Sequence, residues 1–156
     1  MDAKTLAIIS AKSIFAIAVM LTSVIGNSLV LAVVYRNPRL RTITNVYVIN
    51  LAVSDILMAL FCMPLTIISL ITVNWSLGDT MCKFQAILGV SLSFISLQIM
   101  TITAVNRYFR IVHPRRYLSI FTKRSTFIMT AVIWLFPTWF RRTVCLGEWR
   151  WNRLHS

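Results

Sequence analysis

A chain of 156 residues that is 58% hydrophobic and only 13% charged, with a mean hydropathy of +0.76, is too apolar for a soluble domain of its size. Its formal net charge of +12 invites a nucleic-acid partner. The basic residues nevertheless fall between long apolar runs rather than on one face, so membrane topology is preferred and no nucleic acid is expected.

The first element is a helix over about 6–36, in which Ser13–Tyr35 holds no Lys, Arg, Asp or Glu. A helix needs roughly 20 such residues to cross the hydrocarbon, and only helices or closed barrels satisfy their backbone there. Asp2, Lys4 and Lys12 precede a run of span length, so no cleavable signal peptide is expected. The first span serves as its own insertion signal with the N-terminus outside. A tight inner turn follows at Asn37–Thr42, where Pro38 cannot continue the preceding helix.

The second helix covers about 43–71 and carries one charge, Asp55; Pro64 lies inside it and predicts a kink. An outer loop at Thr72–Asp79 leads to a long helix over about 80–112, uncharged from Phe84 to Asn106. The inner loop is placed at His113–Arg124 and a fourth helix starts near Ser125. That last segment is uncharged for only 16 residues, Ser125–Phe140, about 24 Å of helix against roughly 30 Å of hydrocarbon. Arg36, Arg39 and Arg41 follow the first span, and Arg107, Arg110, Arg115, Arg116, Lys123 and Arg124 follow the third; short basic loops stay cytoplasmic. The fold class is therefore an all-α membrane protein, with three transmembrane helices plus a short or partial fourth.

Polar residues stand inside these spans in a fixed order. Gly26-Asn27-Ser28-Leu29-Val30 lies in the first and Asn50-Leu51-Ala52-Val53-Ser54-Asp55 in the second. Trp75-x-x-Gly78-x-x-x-Cys82 enters the third, which ends in Asn106-Arg107-Tyr108 and Ile111-Val112-His113-Pro114; Trp134 stands in the fourth. This set resembles the rhodopsin-like (class A) G-protein-coupled receptors over roughly residues 10–136. The resemblance implies a seven-helix receptor bundle, signal transduction across the plasma membrane, and a heterotrimeric G protein as partner at Asn106, Arg107 and Tyr108. Melatonin-like receptors share the Asn-Arg-Tyr form, which makes them the first expected kin.

A carboxylate in mid-span costs roughly 2.5–3.5 kcal/mol to insert, so Asp55 must face the bundle interior and find partners, for which Asn27 and Ser96 are candidates. The resemblance implies a sodium ion and switch pocket at Asn27, Asp55 and Ser96, with Asp55 and Ser96 as the ion's ligands; the alternative is a protonated acid held by hydrogen bonds. Asn106 takes the place of the family's carboxylate, so Arg107 lacks its ionic restraint. Gly89 occupies the position where amine receptors carry an aspartate, which argues against a cationic amine; Gly89, Val90 and Ser93 are the ligand-pocket candidates. Cys82, in an oxidising compartment, is the cysteine expected in a disulfide, while Cys62 reads as an apolar packer. Asn74-Trp75-Ser76 is a formal glycosylation acceptor close to the membrane.

No nucleophile–base pair, metal-ligand cluster or phosphate loop is visible, so no enzyme activity is expected. The expected organisation is a truncated seven-transmembrane receptor domain at 1–140, helices one to four, and a basic tail at 141–156 that does not resemble the family. On that reading the chain is a receptor by descent that does not signal alone. The alternative is an interaction protein that associates with full-length receptors and retains them in the secretory pathway; a truncated chain is itself expected to stay in the endoplasmic reticulum. Membrane lipid is a partner on either reading, and a basic surface module ranks last.

Overall fold

The computed structural model describes residues 3–40, 42–72 and 77–137, and every element among them is helical. Helix α1 runs from Ala3 to Arg36. Asn37 ends it: its backbone N–H and its side-chain Nδ2 both donate to the Val33 carbonyl at 3.1 Å. Pro38 then opens a single 3-10 turn to Leu40, closed by Leu40 N–H on the Asn37 carbonyl at 2.9 Å. Thr42, in extended backbone, caps the next helix by accepting the Asn45 N–H on its hydroxyl at 3.4 Å.

Helix α2 is Ile43–Thr72. Pro64 has no N–H, and its ring would strike the carbonyl one turn earlier. The helix absorbs this with a π turn at Met58–Cys62, in which Met63 N–H reaches back to the Met58 carbonyl. The kink expected at Pro64 is thus a widened turn just before it. Helix α3 is Gly78–Val112. Gly78 sits at φ 77°, a left-handed conformation that a Cβ would strain, which explains a glycine at the entry to the helix.

The segment expected as an inner loop contains a helix, α4, Pro114–Ile120, with Pro114 in its first turn where a missing N–H costs nothing. Helix α5, Lys123–Pro137, follows at a bend of 67°, and Thr122 caps it through the Ser125 N–H at 3.2 Å. At about 1.5 Å per residue α5 is some 22 Å long, short of a full span. The fold is therefore α1, α2 and α3, each long and apolar enough to cross a membrane, plus the bent α4–α5 pair. Arg41, Asn74-Trp75-Ser76, Cys145 and the tail 141–156 lie outside the described residues.

The core lies between α2 and α3. Tyr47, Cys62, Leu92, Ile95 and Ile99 are buried together, with Ile133 and Trp134 of α5 packed against them. Helix α1 lies along α2 and buries little of itself; Phe15, Leu21, Ile25 and Leu29 stay exposed. Against lipid tails such side chains incur no penalty, so an apolar helix needs only one packed stripe.

Candidate functional site

Three polar features sit at three depths of the α2–α3 pair. At mid-span, Ser96 Oγ lies 2.9 Å from Ser54 Oγ and donates to Asp55 Oδ1 at 3.4 Å. Ser54 Oγ also reaches the Leu51 carbonyl at 2.9 Å. Two hydroxyl hydrogens serve three contacts, and the one that reaches Asp55 is at the outer limit of a hydrogen bond. Among the described residues the Asp55 carboxyl receives this one long side-chain hydrogen bond. Asn27, by contrast, stays on its own helix: Nδ2 donates to the Ser23 carbonyl at 2.9 Å and to Ser23 Oγ at 3.4 Å. Of the two expected partners of Asp55, the structure brings up Ser96.

Nearby, the Trp134 indole Nε1 donates to Asn50 Oδ1 at 3.0 Å, tying α5 to α2. Asn50 is in turn oriented by Nδ2 donating to the Val46 carbonyl at 2.8 Å.

Toward the end of the pair away from the arginines lies a groove of about 670 Å³, lined by Met58, Cys62, Thr66, Cys82, Gln85, Gly89, Val90, Ser93 and Phe94, among others. All three ligand-pocket candidates face it. Among the described residues no Asp, Glu, Lys or Arg lines it, and those that do offer hydrogen bonds and apolar contact. Gln85 Nε2 donates to Thr66 Oγ1 at 2.7 Å, while its Oε1 is buried with no partner among the described residues. Gln85 was missed in the sequence, although its spacing of four from Gly89 and eight from Ser93 puts it on their face of α3. Cys82 is an exposed free thiol here, and Cys145 lies outside the described residues.

At the basic end, Asn106 is fully buried and accepts a hydrogen bond from Thr44 Oγ1 at 2.9 Å. Its Nδ2 is buried without a partner among the described residues. Arg107 is exposed, and among the described residues no carboxylate stands within ion-pair distance of it; the ion pair found among them is Lys83–Asp79 at 3.3 Å. Tyr108 is half exposed and meets His113 edge-on at 5.9 Å. Thr44 carried no motif in the sequence that would pair it with a residue one helix away.

Comparison with known proteins places the chain in a family. The profile of the family described as "7 transmembrane receptor (rhodopsin family)" matches residues 26–152. The QRFP-like peptide receptor of Branchiostoma floridae is 32% identical over 122 residues, covering 78% of this chain and 32% of its own length. The allatostatin-A receptor of Bombyx mori is 33% identical over 141 residues, covering 87% and 39%. The octopamine receptor beta-1R of Drosophila melanogaster is 38% identical over 119 residues, covering 76% and 23%. The chain spans between 23% and 39% of the length of these relatives. They are peptide and amine receptors, so the kinship is not specifically melatonin-like, and the Asn-Arg-Tyr form does not identify the subfamily.

Proposed function

This chain belongs to the rhodopsin family of seven-transmembrane receptors, and from that premise we propose that it serves ligand-driven signal transduction at the plasma membrane through a heterotrimeric G protein. The observation that carries this reading is the placing of three chemistries along one helix pair. The uncharged groove stands at one end, the Asp55–Ser96 pair at mid-span, and Arg107 at the other end beside a buried Asn106. A change at the groove reaches the arginine end along α3, a continuous helix from Gly78 to Val112.

Gln85, Thr66 and Ser93 suit a ligand rich in amide and hydroxyl groups, and relatives named as peptide receptors favour a peptide. Among the described residues that line the groove none is a carboxylate, which disfavours an ammonium ligand. The mid-membrane residues fit a sodium ion in part: Asp55 supplies one negative charge and Ser96 a hydroxyl oxygen, the hard donors such an ion prefers. When bound, the ion would neutralise Asp55 in a medium where charge is costly. Asn106 fixes the inner turn of α3 against α2 through Thr44 and holds no charge against Arg107, which leaves the guanidinium available to a partner.

Ser93 and Gln98 are exposed on α3 within its apolar span. A carboxamide facing lipid is expensive, so this face suits further helices, of this receptor or of another receptor chain. The decisive experiment is ligand-stimulated nucleotide exchange on purified G proteins by the receptor carrying this chain, with neutral peptide and amine libraries. Stimulation by peptides that is lost in Arg107→Ala supports the proposal. Exchange that no library member alters, or that Arg107→Ala leaves intact, sinks it.

A further inference from the structure

We propose that Ser119, on the short helix α4, is a phosphorylation site for an arginine-directed serine kinase. Its hydroxyl is exposed and donates to the Arg116 carbonyl of its own turn at 2.9 Å. Arg116 stands three residues before it and Arg115 four, both exposed, a spacing that sets them on the helix face of Ser119. From Lys83 to Pro137 the sequence holds no Asp or Glu at all, so no acid of this segment competes for the two guanidinium groups. An acidic substrate groove selects a serine preceded by such cations through charge complementarity.

The position is open to a soluble enzyme. The uncharged stretch Phe84–Asn106 of α3 is centred near Ile95. The rise of about 1.5 Å per residue from there puts Val112 roughly 25 Å from the bilayer midplane, past a headgroup limit of about 20–22 Å, and α4 begins beyond it. A kinase takes its substrate in extended form, and α4 can supply it. The helix has seven residues and ends in non-helical backbone at His113 and Phe121, while isolated helices under about 12 residues are marginal. Phe121, buried and stacked on Tyr117 at 5.3 Å, anchors the far end. The neighbouring hydroxyls are worse placed: Thr122 caps α5 through the Ser125 N–H at 3.2 Å, and Ser125 is half-buried beside the buried Thr126. In the step itself Ser119 Oγ gives its proton to the kinase's base and bonds to the γ-phosphorus of magnesium ATP. The bond from that phosphorus to the bridging oxygen breaks, and ADP leaves. The product's charge of about −1.5 to −2 takes Arg115 and Arg116 as counter-ions.

The inference rests on the receptor reading only in placing α4 in the cytoplasm, where ATP is; nanodiscs leave both faces open, so labelling in them does not depend on it. The full chain in nanodiscs is incubated with magnesium ATP and the catalytic subunit of a cyclic-nucleotide-dependent serine kinase, and tandem mass spectrometry locates the phosphate. Phosphate is expected on Ser119. Ser119→Ala removes it, while Ser119→Thr keeps a labelled hydroxyl at the position and so separates loss of the acceptor from misfolding. Arg116→Gln slows the initial rate by roughly tenfold, and Arg36→Gln leaves it unchanged. An unlabelled wild type overturns the proposal. So does phosphate on Thr122 or Ser125 that persists in Ser119→Ala, or a rate indifferent to Arg116→Gln.

Discussion

Thr44 and Asn106, 62 positions apart in the chain, meet through a 2.9 Å hydrogen bond that joins α2 to the inner turn of α3. Asn106 is fully buried, and its other amide atom has no partner among the described residues. Removing the hydroxyl leaves a second buried polar atom unpaired, at a cost of about 1–3 kcal/mol. Thr44→Ala is therefore expected to lower the unfolding temperature in detergent, while Thr44→Ser holds it. Asn106→Asp replaces the orphaned N–H₂ with an ionised acceptor that pairs Arg107, and charged hydrogen bonds are roughly twice as strong as neutral ones. Ligand-independent nucleotide exchange by the receptor should fall by roughly fivefold or more. An unchanged basal rate would show that Arg107 is restrained by something other than residue 106.

The spans and their order were legible because hydrocarbon imposes one rule on every residue of a span. The same rule sends Asp55 to partners inside the bundle, and of the two candidates, Asn27 and Ser96, it is Ser96 that donates to it. Three features were not legible. Helix α4 carries Arg115 and Arg116 at its start and is too short to show a period, so it read as loop. Asn27 satisfies its amide on Ser23, a local choice that competes with any partner across the bundle and leaves no trace in spacing. The Thr44–Asn106 bond depends on how α2 and α3 are set against each other, which neither segment encodes by itself.

Trp134 and Asn50 make the tie that holds the short α5 to the bundle. Trp134→Phe keeps most of the aromatic surface but removes the donor, leaving Asn50 Oδ1 unpaired. Thermal unfolding should show a loss of about 1–3 kcal/mol. In the double variant with Asn50→Leu the two losses should fall short of additive, since each removes the same bond. Strict additivity would mean the bond contributes nothing.

Asp55 has one weak protein hydrogen bond at mid-span, from Ser96. If sodium supplies the missing compensation, exchanging choline chloride for sodium chloride at equal ionic strength should raise the unfolding temperature of the wild type. Asp55→Asn should abolish the response, and Ser96→Ala should weaken it. A wild type indifferent to the cation would assign Asp55 to the protonated, hydrogen-bonded form instead.

Gly89 tests what the groove selects. A Cβ built there meets only the Cys62 sulfur, at 3.8 Å, an ordinary contact. Glycine in a helix interior costs about 0.5–1 kcal/mol relative to alanine. Gly89→Ala should therefore raise stability by about that amount while narrowing the groove by one methyl group, so any drop in ligand affinity reports contact rather than unfolding. Gly89→Asp places a carboxylate where the lining has no charge. Insertion becomes costlier by roughly 2.5–3.5 kcal/mol, and yield should fall. The surviving protein should gain affinity for alkylammonium probes, because a cation in the groove relieves the carboxylate's desolvation. Isothermal titration with such a probe decides the matter: binding by the variant and none by the wild type identifies the groove as the ligand site and charge as its filter, whereas equal binding by both places the cation elsewhere.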